Sequence, residues 1–167
     1  WKKAKNTPQK FTSAIIEERW RIVFMYLMWF KKIGRINIPE EYRLGRFLNE
    51  TDNAGRDKSG QNIAIIVIQF LHYLVRKDKS KYMDAAEKLN KYIPAHLKKK
   101  EHTRSRNFLR MLQKLVDADY YKVRTEARVK RYFNVIQKTP PNISLNLLES
   151  EVVPYEVLWG EVQKLLK

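Results

Sequence analysis

An all-α fold is predicted by three features of the chain. Apolar residues recur at helical rather than alternating spacing, glycine is scarce, and the prolines sit at the ends of the periodic segments. Five glycines and six prolines in 167 residues, among abundant Leu, Ile, Lys and Tyr, leave room only for short connections. That length makes one or at most two domains, with a core that needs neither metal nor disulfide.

The stretch 57–78, DKSGQNIAIIVIQFLHYLVRKD, is the centre of the expected core. Between 63 and 75 only Gln69 and His72 are polar, and Ile63, Ile66, Val67, Phe70, Leu71 and Leu74 fall on one helical face. Ile65, Ile68 and Tyr73 cover much of the remaining circumference, so neighbours must enclose this helix on several sides. Charges bracket the run too closely for a membrane span, which needs about 20 apolar residues.

The first helix is expected over 13–33. Thr12 or Ser13 caps it, Phe11 staples against Ile16, Lys31 and Lys32 suit its last turn, and Gly34 ends it. Nine consecutive apolar residues, 22–30, with Trp20 ahead of them, make it a second heavily buried helix. A short helix from Pro39 carries Leu44, Phe47 and Leu48 and stops in the polar loop NETDNAGRDKSGQN. Another begins at Ser80, turns Tyr82, Ala86, Leu89 and Ile93 inward, and kinks or stops at Pro94. Thr103 is placed to cap the next, whose inner face is Phe108, Met111, Leu112, Leu115 and Val116. A helix over 122–138 follows, closed by Pro140 and Pro141, and a last amphipathic helix starts at Pro154. Helix starts about 20 residues apart suit antiparallel pairs stacked as a short α-solenoid, or a right-angle bundle of the same helices. The expected organisation is a basic extension at 1–12, a helical body at 13–139, and a linker with a docking helix at 140–167.

Three segments carry a resemblance: FLNETDNAGRDKSGQNIAIIVIQFL at 47–71, RSRNFLRMLQKL at 104–115 and EVVPYEVLW at 151–159. With these the chain resembles the C-terminal region of uncharacterised bacterial proteins built from tetratricopeptide-like helical repeats. The resemblance implies a scaffold for a protein or peptide partner. It also implies an origin in a longer chain, which agrees with Trp1 standing in place of Met, and the upstream part of that chain is itself a candidate partner.

Charge narrows the partner. The net charge is +16, of which residues 76–139 contribute +12, while 140–167 are mildly acidic at −2. A field of this size draws nucleic acid, anionic lipid or acidic protein. Arg106, Arg110 and Lys114 form an i, i+4, i+8 stripe; Arg124, Arg128 and Arg131 form another at i, i+4, i+7, and Lys98, Lys99 and Lys100 precede both. These nine cations are the candidate contacts for an acidic partner or for phosphate, with Tyr120, Tyr121 and Tyr132 nearby for base stacking, although helical spacing assigns Tyr132 to the core.

Other chemistry is weaker. Gly55-Arg-Asp-Lys-Ser-Gly60 imitates a phosphate-binding loop, but Gln61 and Asn62 stand where Lys and Ser or Thr belong, and no strand precedes it. Asp57 is read instead as a cap of the central helix or a partner for an arginine. Arg104 lies on the apolar face of its helix and requires a carboxylate or carbonyls, with Asp57 and Glu126 as candidates. His72 reads as a hydrogen-bonded core residue, and His96 and His102 as surface residues. There is no cysteine, no zinc-binding spacing and no nucleophile–base order, so a non-enzyme without cofactor or metal is expected. No signal peptide or transmembrane segment is visible, and a cytoplasmic location is the expectation.

Overall fold

A computed structural model describes residues 14–39, 59–141 and 151–167, with side chains from 20–39, 63–141 and 151–167. Among these residues the chain is all-helical. It comprises α1 (Ala14–Lys32), α2 (Ser59–Val75), α3 (Lys79–His96), a 3-10 turn (Lys100–His102), α4 (Thr103–Asp117), α5 (Lys122–Lys138) and α6 (Tyr155–Leu165). Consecutive helices pack as pairs, α4 most extensively on α5, and α2 also touches α4 and α6. The short helix expected after Pro39, the caps Thr12 and Ser13, the extension 1–12 and Asp57 lie outside the described residues.

The apolar run of α2 is the centre of the core. Ile63, Ala64, Val67, Ile68, Phe70 and Leu71 are buried, and Ile65, Ile66, Tyr73 and Leu74 pack half-buried around them. Two aromatic side chains of α1 place their polar tips on α2 carbonyls: Tyr26 donates to Ala64 O at 3.0 Å and Trp29 Nε1 to Leu71 O at 3.1 Å. Such bonds let large rings fill a core without leaving a buried donor unpaired. Tyr82 of α3 does the same to Leu112 O of α4, at 2.8 Å.

α1 is less enclosed than its sequence implies. Ile22, Met25, Tyr26 and Trp29 are buried, but Trp20 is 60% exposed and Leu27 41%. A continuous apolar run surrounds the whole helix, whereas among the described residues only α2 packs extensively against it. The ends of the helices explain the sharp turns. Gly34 (φ 75°) closes α1 with Gly34 N–H to Lys31 O and Arg35 N–H to Phe30 O, both 2.9 Å, a Schellman pattern. α2 ends in the same pattern with Lys77 at φ 57°, a conformation that strains an L side chain. Lys77→Gly is therefore expected to stabilise the fold by about 0.5–1 kcal/mol, read as a raised urea midpoint with unchanged slope.

Two helix boundaries differ from expectation. α3 runs through Pro94 to His96, because a proline this close to a C-terminus removes one bond from a turn that is already ending. Thr103 does not cap α4; its hydroxyl donates backward to Lys100 O at 2.7 Å, within the preceding 3-10 turn. Asp78 does cap α3, accepting from Lys81 N–H at 3.2 Å.

Candidate functional site

Arg104 organises the end of the molecule where α4 begins and α5 ends. It lies in the first turn of α4 and is 5% exposed. Its Nε and Nη2 hold Glu151 bidentately at 2.8 and 2.6 Å, and Nη2 also reaches Glu156 at 2.7 Å. Nη1 donates to Ile136 O at 2.7 Å and Thr139 O at 2.6 Å. All five N–H groups of the guanidinium are thus engaged, which only arginine can do. Both carbonyls lie at the C-terminus of α5, where Ile136 O also accepts the N–H of Thr139 at 3.1 Å. Glu151 in turn accepts the N–H of Tyr155, the first residue of α6, at 3.0 Å.

One side chain therefore joins the start of α4, the end of α5 and the start of α6. The charges suit the α5 and α6 dipoles and oppose that of α4. The bond to Glu151 holds the guanidinium protonated, against the opposing effect of burial. Burial pulls the Glu156 carboxyl upward, but its bond to Arg104 and its own backbone bond outweigh this, leaving it below the usual carboxylate range. Glu126, one of the partners expected for Arg104, is exposed and accepts from Gln163 at 3.0 Å instead. The actual partners are acids of the C-terminal segment. Glu161 of the same segment pairs with Arg35 at 2.8 Å and Lys164 at 2.9 Å.

The nine candidate cations divide by what holds them. On the α4 side, Arg106 donates to Leu97 O at 3.0 Å and Lys98 O at 3.2 Å, pinning the connection before the helix. Lys114 pairs with Asp117 at 2.5 Å, and Lys99 lies 3.7 Å from Glu101. Lys98 and Lys100 are exposed. On the α5 side, Arg124, Arg128 and Arg131 are exposed and have no carboxylate partner among the described residues.

Tyr132 is where the two stripes meet. Its ring is 7% exposed, with Arg131 centred 4.5 Å and Arg110 6.0 Å from it, and Arg131 Nη2 also bonds its hydroxyl. α4 and α5 are antiparallel, since Arg104 at the start of one reaches Thr139 at the end of the other. Arg110 beside Tyr132 then sets Lys114, one turn on, opposite Arg128. The packing of α4 on α5 thus brings the middle of both stripes onto one surface.

The three candidate tyrosines separate sharply. Tyr120 is buried, its ring edge-on to Tyr82 at 5.4 Å, and Tyr132 is in the core. Tyr121 alone stays outside, 43% exposed, with Arg124 5.2 Å and Lys167 5.9 Å from its ring. Backbone geometry produces this split. Asp119 (φ 49°) and Tyr120 (φ 61°) are both left-handed, so the chain reverses between α4 and α5 with one tyrosine inward and the next outward. Lys167 is held there by paired backbone bonds, Lys167 N–H to Tyr120 O at 3.1 Å and Lys122 N–H to Lys167 O at 2.9 Å. Nothing in the local sequence distinguishes Tyr120 from Tyr121, and the approach of Lys167 has no sequence signal.

The histidines do not converge. His72 is half-buried beside Tyr73 and, contrary to expectation, its ring makes no hydrogen bond among the described residues. Burial, followed by Arg76, Lys81 and Lys32, depresses its pKa below the usual imidazole value. His96 is exposed against Tyr92, and His102 is half-buried rather than on the surface, next to Glu101. No group of three or more His, Cys, Asp or Glu able to hold a metal occurs among the described residues. A cleft of about 390 Å³ between α2 and α3 is lined by Gln69, Tyr73, Lys88 and Tyr92 but not by His72. No helix is long and apolar enough to cross a membrane among the described residues. Compared with family models, curated proteins and solved structures, the chain matches none.

Proposed function

We propose that this chain is a non-enzymatic helical scaffold that binds an acidic partner on the basic face of the α4–α5 pair. The observation that carries the reading is the contrast within that face. Lys114 and Lys99 already have carboxylate neighbours, whereas Arg124, Arg128 and Arg131, like Arg110, Lys98 and Lys100, stand exposed without one among the described residues, and only the first three line up on a single helix face. The seventeen residues of α5 hold six cations and one acid, Glu126. Concentrated like charge destabilises a compact chain through self-repulsion, and a bound polyanion relieves it. The C-terminal acids among the described residues support the same reading, because Glu151 and Glu156 are committed to Arg104 and Glu161 to Arg35 and Lys164. For the architecture, we favour a closed bundle over a tetratricopeptide-like solenoid. In a solenoid each helix pair contacts only the neighbouring pairs, whereas α2 also touches α6, beyond the adjacent pair.

The test compares two triple variants of equal charge in binding to heparin and to a poly-glutamate peptide. One is Arg124→Gln, Arg128→Gln, Arg131→Gln; the other is Lys81→Gln, Lys88→Gln, Lys91→Gln on exposed positions of α3. The arginine variant is expected to lose at least about tenfold in affinity and the lysine variant about threefold or less. Equal losses mean that only net charge matters and reject this face as the site. So does an absence of binding to both probes at low salt.

A further inference from the structure

We infer that the acidic partner is a single-stranded nucleic acid, its phosphates tracked by Arg124, Arg128 and Arg131 and one base stacked on Tyr121. This deepens the reading above and rests on it. Three observations point to nucleic acid, and the last of them separates it from an acidic peptide or a membrane. The first is the row itself. Arg124 to Arg131 spans seven residues of one helix, about 10 Å, in steps of four and three residues. With strand phosphates about 3.4 Å apart along a duplex axis, such a row accommodates about three or fewer as the strand extends. The second is that all three are arginines, whose planar fork binds an oxyanion bidentately, phosphate as well as the carboxylate that Arg104 holds.

The third is Tyr121. A half-exposed tyrosine ring at the end of a phosphate track, with one guanidinium and one ammonium over it, offers a base an aromatic surface once these long side chains swing onto the phosphates. An acidic peptide has no use for such a platform. The left-handed pair Asp119 and Tyr120 turns this ring outward while Tyr120, its neighbour, is buried. Single strands are favoured over duplex because a paired base must first leave its stack, at a cost of a few kcal/mol.

The experiment is a fluorescence-anisotropy titration of the full chain with a labelled 12-nucleotide oligo(U), a 12-base-pair duplex and a poly-glutamate peptide. Inorganic polyphosphate of equal charge serves as competitor. Oligo(U) is expected to bind at micromolar or tighter Kd and at least about tenfold more tightly than duplex, since the unstacking cost falls on duplex alone. Three phosphate contacts predict an affinity loss of about 20-fold between 50 and 200 mM salt. Tyr121→Leu should weaken oligo(U) binding by about 5-fold or more with an unchanged salt slope, and Tyr121→Phe should retain it. Tyr121→Leu should leave poly-glutamate binding unaltered. Polyphosphate that competes as well as unlabelled oligo(U) overturns the stacking role even if Tyr121→Leu fails to fold. Duplex or poly-glutamate binding as tight as oligo(U) overturns the single-strand assignment while sparing the basic face. No binding to any probe at 50 mM salt overturns both.

Discussion

Replacing Arg104 by methionine is expected to lower the unfolding free energy by about 3 kcal/mol or more, because it strands the largely buried Glu151 carboxylate and Thr139 O and also removes the bonds to Glu156 and Ile136 O. Removing one partner of a buried pair costs more than the pair was worth, since the survivor stays desolvated. Arg104→Lys should recover only part of the loss, because an ammonium has three donors where five are used. Urea unfolding of both variants checks this. A triple variant that also replaces Glu151 and Glu156 with apolar residues should regain most of the stability, which separates stranded charge from lost packing.

The same network gives a pH signature. The Glu156 carboxyl sits below its ordinary value of 4.5 in the folded chain, and so does that of Glu161, held by Lys164 and, against some burial, by Arg35. A carboxyl depressed by folding binds its proton less readily in the native state. Its stabilisation is complete above the unfolded value and disappears as pH falls through the folded one. The midpoint of thermal unfolding should therefore decline as pH falls below about 4.5, and the Arg104→Met variant should show a shallower decline. An identical decline in both chains would assign the acid sensitivity to other groups.

Phe108→Ala is expected to cost about 3–5 kcal/mol. The ring is fully buried and lies parallel to Tyr155, centroids 4.3 Å apart and 12° between planes, so its removal opens a cavity between α4 and α6. Tyr155→Phe should cost only about 1 kcal/mol, because it keeps the stacking and loses the 2.9 Å bond from its hydroxyl to Ser105. Denaturant unfolding with unchanged slope distinguishes a lost contact from a loosened native state. A Phe108→Ala loss under 1 kcal/mol would mean that α6 does not pack firmly on α4.

Local physics made the helices legible in the chain itself. The 63–75 run could only be an enclosed helix, and Gly34 after Lys31 and Lys32 marked the end of α1. That Arg104 required charge and carbonyl partners followed from its place among Phe108, Met111 and Leu115. Its partners did not follow. Glu151 lies 47 residues away and meets Arg104 only because α5 returns the chain and α6 docks beside it. Trp20 misled for a related reason: hydrophobicity reports what a side chain tolerates, and only a covering element decides whether it is buried.

What the sequence determined by itself was an all-helical chain with a greasy central helix and an excess of positive charge over its second half, since both depend on residues close together. Only the tertiary structure decided which cations stay free and which tyrosine faces water. Those outcomes depend on contacts such as Arg110 over Tyr132, Arg106 with Leu97 O and Lys167 over Tyr121, and on a backbone reversal at Asp119 and Tyr120. Side-chain periodicity along one helix carries no record of what the next helix presents to it.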